Sequence, residues 1–284
     1  MRVELLHDAK ALLGEGPVWD ERTQTLYWVD ILNKRIYANG DSLAELDEFI
    51  GCLAPRVRGG LILAKRFSFW TFDLSATSST FLAAPTDEPA TNRFNDGKCD
   101  PRGRFLAGTM NLNEKDSTGS LYSFDGESIA KLLSNVTISN GLTWSPDGKT
   151  FYYIDTPTRV VQAFDYDLDT GAIASPRVAV TIPASLGWPD GMTSDSQGNL
   201  WIAMWGGAQI TKWNPHTGQL LEQIPVPALQ TSSCAFGGKH LNELFITSAR
   251  KGLDDAALEQ YPLSGGVFRV ETTVAGLPAF EFAG

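Results

Sequence analysis

The feature that most limits how this chain can fold is a unit that recurs about every 45 residues. Short apolar strands open near Thr25, Gly60, Arg104, Thr150, Asn199 and Glu243, at intervals of 35, 44, 46, 49 and 44 residues. Turn chemistry precedes them in Asp100-Pro-Arg-Gly, Ser145-Pro-Asp-Gly and Asp195-Ser-Gln-Gly, with glycine where a positive φ is needed. A third strand follows, as in Arg35-Ile-Tyr-Ala, Ser120-Leu-Tyr-Ser-Phe and Ile210-Thr-Lys-Trp, and a fourth follows turns such as Asp169-Thr-Gly171 and His216-Thr-Gly218. Four short strands at this period describe a propeller blade. We therefore expect an all-β, six-bladed β-propeller with four antiparallel strands per blade, forming one domain over 1–284. A ring must close or present raw sheet edges. Val3-Glu-Leu-Leu belongs to no unit, so the expected closure pairs this N-terminal segment with strands from the C-terminal end. The second unit, Gly59 to Leu74, is the weakest. The one helical stretch expected is Asp254-Asp-Ala-Ala-Leu-Glu-Gln, one or two turns inside a loop.

Composition narrows the function classes. The chain has 284 residues with 43% hydrophobic and 20% charged content, ordinary for a soluble globular protein. Its formal net charge of −10 argues against nucleic acid and against anionic membrane surfaces as partners. No apolar run reaches the roughly 18 residues that a spanning helix needs. The N-terminus lacks an apolar signal region, and Cys52, Cys99 and Cys234 have no paired spacing. Both suit a reducing, cytoplasmic setting, with the chain a monomer or a weak homo-oligomer.

Four oxygen-bearing residues share one register. Glu15, Asn95, Asn140 and Asp190 each stand five positions before the residue that opens a strand-connecting turn, namely Asp20, Asp100, Ser145 and Asp195. Taken singly, each could be a turn or capping residue. Repeated in blade after blade, just before the first strand, they would converge on the mouth of the central channel. Glu15, Asn140 and Asp190 offer two carboxylates and an amide oxygen, donors that suit a hard divalent cation such as Ca, Mg or Mn, with Zn and Fe also able to accept carboxylates. The expected cofactor is one divalent metal cation of undetermined identity.

Neighbouring residues suggest how a ligand would be held. Arg93, in Arg93-Phe-Asn-Asp-Gly-Lys98, is either a surface arginine paired with an acid or a fork for sugar hydroxyls beside the metal. Lys98 reads as a strand-exit charge. Trp188 and Trp205 flank the Asp190 unit and are either core residues or walls over a sugar ring. His7, His216 and His240 lie outside the repeated positions, which disfavours a histidine base or histidine-ligated zinc.

Five segments occur in order: Leu13-Gly-Glu-Gly-Pro-Val-Trp19, Arg93-Phe-Asn-Asp-Gly-Lys98, Ser139-Asn-Gly-Leu-Thr-Trp-Ser145, Pro189-Asp-Gly-Met192 and Ser233-Cys-Ala-Phe-Gly-Gly238. Together they resemble the senescence marker protein/gluconolactonase family, which includes regucalcin and the bacterial sugar lactonases. The resemblance implies a six-bladed propeller that hydrolyses a small-molecule sugar lactone to the aldonic acid with one divalent cation. By motif it implies Glu15, Asn140 and Asp190 as metal ligands, Arg93 and Asn95 as substrate contacts, and Asp190 also as general base. Family members from animals carry an acidic pair soon after Gly-Thr-Met; here Gly108-Thr-Met110 is followed by Asn111-Leu-Asn-Glu114, so Asn113 is expected in that substrate-binding place. The competing expectations are a broad esterase or organophosphate hydrolase on the same metal site, and a non-catalytic calcium-binding propeller.

Overall fold

The structure, a computed structural model, describes residues 2–284. An N-terminal strand, β1 (Val3–His7), precedes four antiparallel four-stranded sheets. They are β2–β5 (Gly14–Asp20, Thr25–Asp30, Arg35–Ala38, Asp41–Glu45), β6–β9 (Ile50–Pro55, Leu61–Lys65, Ser68–Asp73, Ser78–Ala83), β10–β13 (Asn92–Cys99, Phe105–Asn111, Gly119–Phe124, Ile129–Val136) and β14–β17 (Ser139–Trp144, Thr150–Asp155, Val160–Tyr166, Ile173–Thr181). An eight-stranded sheet completes the set. It contains β18–β21 (Trp188–Ser194, Leu200–Trp205, Gln209–Asn214, Gln219–Pro225) and β22–β24 (Gln230–Gly237, Glu243–Ala249, Val267–Glu271) with β1. Its two halves meet through one pair, Trp205 with Gln230. The expected all-β architecture and its four-stranded antiparallel unit are present.

The N-terminal segment pairs as expected. β1 runs antiparallel to β24, with Val3 opposite Val270 and Leu5 opposite Phe268. The first strands of successive units pack on one another in the order β2, β6, β10, β14, β18, β22, and β22 packs back on β2. Buried apolar side chains fill the spaces between units. Phe69, Phe94, Phe105 and Phe124 meet between the second and third, with Phe69 and Phe124 stacked at 4.9 Å between ring centroids. Each fully buried aromatic of this kind stabilises the fold by roughly 1.5–3 kcal/mol. The expected helix forms as α1 (Asp255–Gln260), and the Asp254 side chain caps it by accepting from the Ala257 amide. No helix among the described residues is long and apolar enough to cross a membrane.

One expectation needs correcting. The four register-marked residues do not precede the first strand of their units; they lie inside it. The strands opening at Thr25, Arg104, Thr150 and Asn199 are the second strands. The true first strands escaped detection because Gly, Asn and Asp are depleted in strands. They are tolerated because every first strand contains a β-bulge. Register breaks between Glu15 and Val18, Ile50 and Cys52, Phe94 and Gly97, Asn140 and Leu142, Pro189 and Met192, and Thr231 and Ser233. A bulge bends the strand and re-aims its side chains. The turn openers are structural. Asp100 and Asp195 each accept two backbone N–H bonds within their turns, and Ser145 Oγ accepts from the Thr150 amide.

Beyond β24 the tail crosses the hairpin turns at the opposite end from the bulges. The Gly276 amide donates to Leu241, Ser196 to Ala275, Phe282 to Pro55 and Ala283 to Gly103. Phe282 is fully buried against Phe124. The tail thus closes one end of the central channel and leaves the bulge end open.

Gly51 occupies the second unit's bulge, and a Cβ there would lie 2.5 Å from the Phe94 carbonyl oxygen. Gly51→Ala should therefore cost roughly 1–3 kcal/mol of stability, because the obstacle is backbone. A thermal unfolding midpoint indistinguishable from the parent's would show that this close approach is not required.

Candidate active site

The bulges bring the marked residues to one buried place. Glu15 (β2), Asn95 (β10), Asn140 (β14) and Asp190 (β18) are all buried and all line a cavity of about 510 Å³ at the open end of the channel. Arg93, Trp188 and Trp205 line the same cavity. The second unit contributes Gly51 at the equivalent offset, five before Arg56, so its backbone passes close and adds no donor side chain. A smaller void of about 60 Å³ lies deeper in the channel, lined in part by Asp96, Lys98, Thr143 and Ser194. Lys98 is thus a channel residue, its ammonium donating to the Met192 carbonyl at 2.9 Å, rather than a strand-exit charge.

A chain of hydrogen bonds orients the polar groups. Arg93 Nη1 donates to Asn95 Oδ1 at 2.7 Å and to the Phe94 carbonyl at 2.9 Å. Asn95 Nδ2 donates to Asn140 Oδ1 at 3.1 Å and to the Ser139 carbonyl at 2.9 Å. Asn140 Nδ2 donates to Thr156 Oγ1 at 2.8 Å, and Thr156 Oγ1 donates onward to the Pro189 carbonyl at 2.9 Å. Because the Thr156 hydroxyl hydrogen is committed to Pro189, this oxygen can only accept from Asn140. That fixes the Asn140 amide with Nδ2 on Thr156 and Oδ1 on Asn95, an oxygen that keeps a second lone pair. Asn95 spends both N–H groups inside the chain, so it positions Arg93 and Asn140 at least as much as it faces the cavity.

The electrostatics of the site are unbalanced. Burial and the neighbouring Asp96 push the Glu15 carboxyl up to about 8. Burial, Glu15 and Asp96 hold Asp190 well above the usual carboxylate range. Burial likewise raises Asp96 and pulls Arg93 down to about 10. Three buried carboxyls therefore repel one another while water is excluded. Neither Glu15 nor Asp190 forms an ion pair with a Lys or Arg among the described residues. Glu15 Oε2 accepts only the Gly16 amide, at 3.0 Å. Buried carboxyls that Arg93 and Lys251 offset only in part, lining one cavity with an oriented amide, are a donor set that fits a hard divalent cation. Among the described residues there is no cluster of three His, Cys, Asp or Glu side chains suited to a metal, and here the third donor would be the Asn140 amide.

Asn113 is not brought to the cavity. It is exposed, its Oδ1 accepts the Lys115 and Asp116 amides, and its Nδ2 donates to Asp116. The turn it caps presents the next residue, Glu114, to the cavity, where Glu114 is ion-paired with Lys251. Sequence reasoning missed Thr156, Glu114 and Lys251 as lining residues. Only the shifted acidic residue after Gly108-Thr-Met110 pointed toward Glu114; neither Thr156 nor Lys251 carries a repeat signal. Trp188 is partly exposed, and the Arg159 guanidinium lies 3.5 Å from its ring centroid, a cation–π contact that holds the ring at the rim. Trp205 pairs with Trp188 across β18 and β19. The three cysteines are free and buried, as small hydrophobes.

Comparison with known proteins places the chain in a family. The family described as SMP-30/Gluconolactonase/LRE-like region matches residues 13–250. Regucalcin from Danio rerio is 37% identical over 294 residues, covering 100% of this chain and 99% of the relative. The crystal structure of a calcium-binding protein, regucalcin, from Agrobacterium tumefaciens superposes with a TM-score of 0.93 at 28% identity, over 98% of this chain and 96% of that one. A luciferin-regenerating enzyme superposes at 0.89 with 33% identity, over 99% of each chain. This chain belongs to the SMP-30/gluconolactonase/LRE-like family.

Proposed function

We propose that this protein is a six-bladed propeller that hydrolyses a sugar lactone to its aldonic acid at a single divalent cation held by Glu15, Asn140 and Asp190. The observation that carries this reading is the pair of buried carboxyls, Glu15 and Asp190, facing one cavity with no ion-pair partner among the described residues and with proton affinities raised despite Arg93 and Lys251 in the same lining. Family membership supports the lactone as substrate. A bound cation supplies Lewis acidity toward a carbonyl oxygen and charge to balance a developing oxyanion.

The chain's own residues supply the rest. Arg93 donates only from Nη1 to protein acceptors, which leaves its other guanidinium N–H groups for ring hydroxyls. Asn95 holds Arg93 in that pose. Trp188 and Trp205 wall the cavity and limit water around a sugar ring. Asp190 faces the cavity from β18, takes a proton from the attacking water and returns it to the ring oxygen that leaves as the lactone opens. Fixing the carbonyl against this carboxylate is the positioning part of the rate enhancement. The Agrobacterium relative, described as a calcium-binding protein, favours a second reading, calcium binding without turnover.

The decisive experiment is lactone hydrolysis after chelation, with single divalent metals restored and five- and six-carbon aldonolactones as substrates. Activity should vanish on chelation and return with metal. Asp190→Ala should lose both metal binding and turnover, the latter by more than about a hundredfold. Arg93→Ala should keep metal affinity and raise KM about tenfold. Metal binding with no hydrolysis of any lactone would favour the second reading, and full activity in Asp190→Ala would exclude the assignment of Asp190.

Metal affinity should also depend on pH in a defined direction. The Glu15 carboxyl is lifted from 4.5 to about 8 in the metal-free protein, so at neutral pH a cation must displace its proton. Calorimetric affinity should therefore rise with pH up to about 8. Over the window from 4.5 to about 8 the folded metal-free protein holds a proton that the unfolded chain has lost, so its stability should fall as pH rises. Affinity that does not change across that window would contradict the role given to Glu15.

A further inference from the structure

The three residues proposed to hold the cation share a feature of their backbones. In each case the carbonyl of the preceding residue accepts a hydrogen bond from a side chain of the preceding unit. The Ser139 carbonyl, before Asn140, accepts from Asn95 Nδ2 of the third unit at 2.9 Å. The Pro189 carbonyl, before Asp190, accepts from Thr156 Oγ1 of the fourth unit at 2.9 Å. The Gly14 carbonyl, before Glu15, accepts from Ser232 Oγ of the sixth unit at 2.5 Å, across 218 positions of chain. Each carbonyl lies in the peptide plane that leads into the next Cα, so the bond fixes the direction in which that side chain leaves the strand. Asn95, which is not one of the three, provides the contrast: the Phe94 carbonyl before it is held from within its own strand, by Arg93. A buried carbonyl needs some partner, and any one of these bonds taken singly could serve only that end. That need does not explain why the same carbonyl is met from the same side in all three units.

Ser232 is the least expected member of this set. The sixth first strand is bulged between Thr231 and Ser233, so Ser232 sits in its bulge as Asp190 sits in that of β18. Ser232 is nevertheless fully buried, and its hydroxyl reaches the neighbouring strand rather than the cavity. The hydroxyl also lies 3.0 Å from Thr247 Oγ1 on β23. Here β2 is pressed against β23, since a Cβ on Gly14 would lie 2.6 Å from the Ser248 carbonyl oxygen. We propose that Ser232 is the positioning residue for Glu15, so that the sixth unit serves the cation site by fixing the geometry of a ligand and not by supplying one. The inference rests on the metal site proposed above and deepens it. Its consequence is for the choice of ion. Mg²⁺ demands near-ideal octahedral geometry at short distances, whereas Ca²⁺ accepts longer and looser arrangements of oxygens. A Glu15 whose backbone is free to shift still serves Ca²⁺ but places its oxygen poorly for Mg²⁺. Ser232 thus keeps the site usable by the stricter ion.

The test is calorimetric titration of the metal-free protein with Mg²⁺ and with Ca²⁺, each alone, in the parent, Ser232→Ala, Ser232→Thr and Ile246→Val. In Ser232→Ala the Mg²⁺ affinity should fall at least about tenfold, as expected when the support of a ligand is removed. The Ca²⁺ affinity should fall by no more than about threefold. Ser232→Thr keeps a hydroxyl on the same Cβ and should hold both affinities within about twofold of the parent. Ile246→Val is the control for a purely structural effect. Ile246 lies opposite Cys234 of β22 in the apolar core, so losing its methyl group should lower the thermal midpoint while leaving both affinities within about twofold. The assignment is overturned if Ser232→Ala keeps both affinities within about twofold, if it loses both ions equally, or if Ile246→Val shows the same selective loss. The two readings fail differently: a parent that binds neither ion ends the metal-site reading, whereas a parent that binds them and a Ser232→Ala protein that matches it ends only the role of Ser232.

Discussion

The structure depends on one electrostatic constraint. Glu15 and Asp190 are 5% exposed, burial and Asp96 raise the proton affinity of both, Glu15 raises that of Asp190 further, and neither is ion-paired with a protein cation among the described residues. Burying such a pair is unfavourable unless something compensates. The Gly16 and Gly191 amides, Arg93 and Lys251 offset this only in part. The fold also fixes the Asn140 amide in the lining of the same cavity, which is open at one end. Under the proposed function, these residues form the protein's half of an ion-binding contact.

What makes that half rigid is the bulge in every first strand. A regular strand would alternate these side chains between faces. The added residue at Asn95, at Gly141 and at Asp190-Gly191 resets the alternation, so the polar group points along the channel while the residues on either side stay packed. Glycine is required next to the donors for the same reason. A Cβ on Gly141 would meet the Asp190 carbonyl at 2.6 Å, and one on Gly191 would meet Ser233 Oγ at 2.1 Å. The Asn-Gly and Asp-Gly pairs that look like turns in the sequence are places where adjacent first strands pass too closely for a side chain.

Much of this was legible before the structure, and the exceptions have physical causes. The repeat period revealed the four-stranded unit because turn chemistry and β-branched runs are local signals. The five-residue offset located Glu15, Asn95, Asn140 and Asp190 because repeated units place equivalent residues equivalently. The first strands were hidden, since a bulged, glycine-rich strand has no strand-like composition. Asn113 was assigned to the ligand by position, yet its side chain closes a turn and Glu114 does the facing. Lys251 and Thr156 reach the site from segments with no repeat signature. Their roles arise from tertiary contacts, Thr156 by pinning the Asn140 amide and Lys251 by crossing the cavity mouth.

The central claim concerns where an ion sits. The most direct measurement is an anomalous diffraction experiment on crystals grown with Mn²⁺ or Ca²⁺. The account predicts one peak at the open end of the channel, with oxygens of Glu15, Asn140 and Asp190 at roughly 2.0–2.6 Å from the ion. A fully loaded crystal with density elsewhere, or none among these three side chains, would contradict it.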